Sequence, residues 1–129
     1  VTADPTAAYR ALLLADVAVA ALVDERIYLQ QLPQDPTLPA IRFRRVSQAR
    51  GHQVPTRFPV YQTDCCAATH IEAEQLADAV VAATQRAKTV QDGVHITQGV
   101  IVNEIDLYDV ELDMHVTPVD VRLHIIERS

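Results

Sequence analysis

The stretch "TDCCAATHIEA" sets two adjacent cysteines, Cys65 and Cys66, within five residues of His70. A thiol beside an imidazole is the raw material of a nucleophile–base pair or of part of a metal site. A nucleophilic thiol needs a lowered pKa and a base within hydrogen-bond reach. A structural zinc site needs ligands at short, paired spacings. The five histidines, His52, His70, His95, His115 and His124, contain no H-x-x-x-H pair, and the cysteines have no C-x-x-C partner. In an extended segment Cys65 shares a face with Tyr61, Thr63 and Ala67, a core-like set. Cys66 shares its face with Asp64, whose negative charge raises a thiol pKa. Neighbours on a strand point to opposite faces, so the two cysteines cannot bond each other, and no others exist to build a disulfide framework. The pattern predicts structural cysteines, with no catalytic residue, no metal and no cofactor. The rival reading is a small thiol-dependent enzyme or ligand-binding domain that uses Cys66 and His70.

Other chemistry is poorly provided for. Ser47 and Thr63 lack a nucleophile-elbow context, and three glycines give no phosphate-cradling loop. Asp106, Asp109, Glu111 and Asp113 resemble a calcium loop only loosely, because the glycine and the closing bidentate Glu are missing at the right offsets. They read as a solvated acidic tip. Arg42, Arg44, Arg45, Arg50 and Arg57 form a basic group in an acidic protein. It is either a solvated sheet face or a contact for an acidic surface on a neighbouring subunit.

These residues hang on elements with clear boundaries. Asp4 and Pro5 open a helix as cap and first residue, with Tyr9, Leu12, Leu13 and Val17 at helical spacing. Asp16 interrupts it and can cap a second short helix, "VAVAALV". "RIYLQQL" reads as a short strand. "PQDPTLP", with Pro33, Pro36 and Pro39, reads as a stiff surface connection. "AIRFRRV" is a strand with Ile41 and Phe43 on one face and Arg42 and Arg44 on the other. "SQARGHQVPTR" is a loop, and 58–67 a further strand. Thr69 and Glu72 form a capping box. Ala73, Leu76, Ala77, Val80 and Thr84 make the buried stripe of the helix that follows, which "QDG" at 91–93 closes. "VHITQGVIVNEIDLY" is one long strand, bulged at Gly99. "DVELD" is a hairpin tip. "MHVTPVDVRLHIIE" is the last strand, with Pro118 marking a bulge or an edge. This order predicts a single α+β domain over 1–129, with a mixed or mainly antiparallel sheet and two main helices on one face.

The 129 residues are 49% apolar and 22% charged, as a globular chain should be. A net charge of -6 and a pI of about 5.2 work against binding to nucleic-acid backbones or anionic lipids. The longest apolar run is broken by Asp16, too early to span a bilayer. With no signal-peptide pattern at the start, a cytoplasmic origin is the expectation.

"TDCCAATHIEAEQLADAVVAA", together with "ALLLADVAVAALVDERIY", "LPAIRF" and "NEIDLYDVELDMHVTPVDVRL", resembles the tail-completion or tail-terminator proteins of long-tailed phages. That family shows a strand ending in a V-D-C-W-A-like string, then T-x-x-E-A-x-x-L-A-D-A-V. Asp64, Cys65, Ala67, Thr69, Glu72, Ala73, Leu76, Ala77, Asp78, Ala79 and Val80 match, and Cys66 replaces the aromatic. Asp106, Leu107 and Tyr108 match a D-L-Y string, and Asp120 and Val121 the next strand. "VTP" at 116–118 departs from the commoner basic and serine string. The resemblance implies an α+β virion subunit with no catalysis. It would form a hexameric ring that caps the tail tube, stops its growth and meets the head-completion or connector protein. Another neck or adaptor subunit is the alternative. The ring would be assembled in the host cytoplasm and carried in the virion tail or neck. It would pass DNA without specific binding and meet no membrane. Candidate interface residues are Arg42, Arg44, Arg45, Arg50, His52, Arg57, Asp109, Glu111, Asp113 and His115. The loops at 48–57 and 109–113 would order on meeting a partner, and the long strand edge at 94–107 invites contact between subunits.

Overall fold

Two aspartates divide the N-terminal helical segment. Asp4 accepts from the backbone N–H of Thr6 and Ala7 and starts α1, Pro5–Ala15. Asp16 accepts from Ala18 and Val19 and starts α2, Val17–Val23. Each cap satisfies N–H groups that a helix start leaves open. The axes meet at 85°. That bend changes the expected stripe: Ala8, Tyr9 and Leu13 are buried, but Val17 is 84% exposed, and Val19 and Val23 turn inward instead. No single helix among the described residues is long and apolar enough to cross a membrane.

The computed structural model describes residues 4–50, 56–91 and 94–127. Among them, seven strands form one mixed, mostly antiparallel sheet: β1 (Ile27–Leu29), β2 (Ala40–Arg50), β3 (Thr56–Ala67), β4 (Thr89–Gln91), β5 (Val94–Glu104), β6 (Leu107–Asp109) and β7 (Met114–Glu127). The order is β1-β2-β3-β7-β5-β4, with β6 beside β7, and only β1–β2 is parallel. Of the loop expected at 47–57, residues 47–50 and 56–57 are strand despite their polar composition. Strand pairing carries β2 to Arg50 and restarts β3 at Thr56.

Helix α3, His70–Gln85, starts where the capping box put it, with Thr69 Oγ1 accepting from Glu72 N at 3.2 Å. Its stripe of Ala73, Leu76, Ala77, Val80 and Thr84 is buried, with Ala83 added. All three helices contribute to one core against one face of the sheet, with Ile41, Phe43, Tyr61, Cys65, Val119, Val121 and Leu123 beneath. Tyr9 anchors α1 there. Its ring stacks on Tyr61 at 4.8 Å and meets Phe43 edge-on at 5.6 Å, and its hydroxyl lies 2.8 Å from Thr63 Oγ1. Each such aromatic contact adds about 0.5–1.5 kcal/mol beyond area burial.

Four expectations are corrected. The helix ends at Gln85, not near Gln91, because Thr89–Gln91 pairs with Val94–Ile96 as β4. The long strand is split into β5 and β6, and its register shifts fall between Ile96 and Gln98 and between Ile101 and Asn103. Gly99 is instead a close approach: a Cβ there would lie 2.4 Å from the Thr84 carbonyl oxygen. Pro118 lies in the central strand. β7 pairs with β5 up to Val119 and with β6 from Val116, so Pro118 sits where its partner changes. Its carbonyl accepts from Ile105 N at 3.2 Å, and on an antiparallel strand the N–H side lies on the same edge. The missing donor therefore faces the junction, where no ladder bond is lost.

Candidate functional site

Both cysteines are fully buried, on opposite faces of β3. Cys65 belongs to the helix-covered core. Cys66 lies on the other face with Met114 and Val116, roofed by Leu32 and Leu38. The proline-rich segment is thus a cover as well as a connection. Each thiol donates to a backbone carbonyl, Cys65 to Thr63 at 4.0 Å and Cys66 to Asp64 at 3.7 Å, and neither to a histidine. Burial pushes the Cys65 thiol well above its ordinary range, and it pushes Cys66 up to about 12, where Arg42 only partly offsets it. A thiolate nucleophile needs the opposite shift. His70 is exposed and pairs with Glu74 at 3.3 Å along its own helix.

The surface on the far face of the sheet is better equipped. Asp64 is nearly buried and accepts from Arg42 Nε at 2.9 Å, Arg42 Nη2 at 2.7 Å and Gln62 Nε2 at 3.0 Å. Burial works against the Arg42 charge, but the Asp64 contact outweighs it and the guanidinium pKa rises. This pair forms one wall of an open groove of about 370 Å³. The other wall is the β6–β7 hairpin, including Leu107, Tyr108, Asp109, Val110 and Glu111. Asp109 caps the hairpin tip by accepting from Leu112 N at 3.0 Å, and the Tyr108 hydroxyl donates to Asp113. That bond raises the Tyr108 pKa. The His115 ring lies 5.0 Å from Tyr108 and 6.1 Å from His70.

The predicted interface residues therefore divide. Arg42, Asp109 and Glu111 come together in the groove, with Asp113 and His115 on its hairpin side. Arg44 reaches Gln62 at 3.4 Å on the same face. Arg45 is exposed and reaches Gln48 at 3.2 Å. Arg50 and Arg57 sit opposite each other at the far end of the β2–β3 pair, away from the groove. His52 lies outside the described residues.

Two features escaped sequence reasoning. Val102, Ile105, Leu107, Tyr108, Val110 and Leu112 are each about half exposed or more, with Val110 at 80%. Their signal was in "VIVNEIDLYDVEL", where apolar residues outnumber what one buried face can take. The other is convergence of ligand-type atoms of His70, Glu74 and Asp106, all exposed, within 4.8 Å of one another. A divalent cation could be held there by one imidazole and two carboxylates. Asp106 comes from a remote segment, so no spacing rule could reveal the group.

Residues 7–126 match the family described as Tail completion protein gp17. No curated protein matches. Among solved structures, a chain from the virion of a native gene transfer agent particle superposes with a TM-score of 0.76. It is 19% identical, with 94% of this chain and 93% of that chain covered, a likeness of fold.

Proposed function

The chain belongs to the tail completion protein gp17 family of phage tail proteins, and from that premise we propose that it acts as a hexameric ring that caps the tail tube. The ring ends tube growth and offers its opposite side to the head-completion or connector protein. It works by shape and mutual fit, without bond chemistry. The observation that carries this reading is the exposed apolar set on β5, β6 and the hairpin tip. Exposed apolar side chains interleaved with the acids Asp109, Glu111 and Asp113 are what a subunit keeps for partners. The thiols, by contrast, are shut away and protonated. A net charge of -6 suits a ring that lets DNA pass without adhering. The subunit is then carried in the virion tail or neck after assembly in the host cytoplasm.

Particles assembled without this chain test the proposal. Tails of uncontrolled length that fail to join heads are expected there, and particles that contain the chain should carry six copies of it by mass. Tails of normal length that join heads without it would overturn the reading.

A further inference from the structure

Both edges of the sheet are partly open, and at the same height. β1 covers β2 only at Ile41, Arg42 and Phe43, and β4 covers β5 only at Val94, His95 and Ile96. Among the described residues nothing pairs with the outer side of β2 over 44–50 or of β5 over 97–104. Tracing partners across the sheet, Arg44 faces Gln62, Gln62 faces Asp120, and Asp120 faces Asn103. At the other limit, Arg50 faces Arg57, Arg57 faces Ile125, and Ile125 faces Ile96. The two unpaired stretches therefore occupy the same rows at opposite ends of one sheet.

Direction and charge agree with joining them. β2, β3, β7 and β5 alternate, so β5 runs against β2. A copy rotated about an axis along the strands brings its β2 beside this β5 in antiparallel sense, and the alternation continues. The β2 edge presents exposed Arg44 and Arg45, while Glu104 and Asp106 are exposed at the end of β5, and no Lys or Arg occurs from 94 to 121. Pairing β2 with β2 would set arginines against each other, and pairing β5 with β5 would do the same with acids. Only the unlike combination is complementary, and an unlike contact repeated by rotation closes a ring. Each edge also carries an exposed valine at a register shift, Val46 (47% exposed) and Val102 (54%). Bulges and edge charges keep such strands from pairing indiscriminately.

We propose that β5 of one copy adds to β2 of the next, antiparallel and near the row Asn103–Arg44, so that the sheet runs continuously around the ring. This rests on the ring reading above and supplies its joint. Directly opposed residues of an antiparallel pair have Cα atoms about 4.5–5.5 Å apart, within disulfide reach. The test uses assembled particles carrying Arg44→Cys with Asn103→Cys, or Arg44→Cys with Ile105→Cys to admit a two-residue shift. After mild oxidation, a non-reducing gel should show a ladder of linked copies up to six for one of the pairs, lost in each single variant. The native cysteines are buried and contribute little background. Independently, Arg45→Glu should reduce ring yield at least tenfold, and adding Glu104→Arg should restore it. Six-copy rings that neither pair links, and that ignore the charge exchange, would overturn the edge joint while leaving the ring. Particles whose terminal protein is not a ring would overturn both.

Discussion

Stability should fall steeply with alkali, and the fall should trace to the cysteines. Cys66 has its pKa raised by burial from an ordinary 9.0 to about 12. Below pH 9 both the folded and the unfolded chain hold this proton, so the full stability is present. Between pH 9 and 12 the unfolded chain has released it and the folded chain has not. Unfolding then releases a proton, and rising pH favours it. The slope for one group is about 1.4 kcal/mol per pH unit. Across the three-unit window Cys66 alone removes about 4 kcal/mol, a large part of the 5–15 kcal/mol available to a typical domain. Cys65, raised well above the same ordinary value, acts in the same direction. Tyr9, raised from 10.0 by burial, joins above pH 10. Urea denaturation at pH 7.5, 9.0, 9.5, 10.0 and 10.5 measures the slope, and Cys66→Ala isolates one thiol. That variant should begin less stable, because a buried sulfur is lost, yet lose about 1.4 kcal/mol per unit less between pH 9.5 and 10.5. An unfolding free energy flat from pH 9 to 10.5 would refute the reasoning, as would a Cys66→Ala slope equal to the parent's. Reagent labelling makes the same distinction: both thiols should resist modification at pH 8 until the chain is unfolded.

Two further substitutions probe the packing. Gly99→Ala would place a methyl group 2.4 Å from the Thr84 carbonyl oxygen and 2.6 Å from its Cγ2, so the end of α3 must move away from β5. A loss of about 1–3 kcal/mol is expected in urea melts; a gain, as removing a flexible glycine gives at a roomy site, would contradict it. Asp64→Ala removes three hydrogen bonds and leaves Arg42, only 27% exposed along its side chain, without its counter-charge. About 2–4 kcal/mol should be lost. Adding Arg42→Met should recover part of that loss, and no recovery would show that the pair is not coupled.

The sequence disclosed what local chemistry decides. Asp4, Asp16 and Thr69 announce three helix starts because each cap is a contact across two or three residues. The alternation from Val119 to Ile125 announces β7 because a half-buried strand imprints a period of two. What stayed hidden depends on neighbours distant in the chain. Thr89–Gln91 is a strand only because β5 lies beside it. Pro118 reads as a bulge or an edge in sequence because nothing nearby tells that β7 exchanges β5 for β6 at that residue. The arginine group was visible as charge, but not that Asp64 already neutralises Arg42 while Arg44 and Arg45 stay exposed.

The two cysteines explain why the ends of the sheet differ from its middle. At Cys65 and Cys66 both faces of β3 are covered, one by the helices and one by Leu32 and Leu38. A strand dry on both faces has no place for a charge without a partner, so adjacent small apolar side chains suit both directions there, and Asp64 is tolerated through Arg42 and Gln62. Along the same sheet, Arg44, Arg45, Val46, Val102 and Glu104 have no such cover among the described residues. Strands β3 and β7 pair on both sides, while β2 and β5 keep stretches with no strand beside them among the described residues. Here the centre holds protonated thiols and a neutralised ion pair, and the outer strands hold charge and exposed apolar surface, which is what the proposed joint between copies requires.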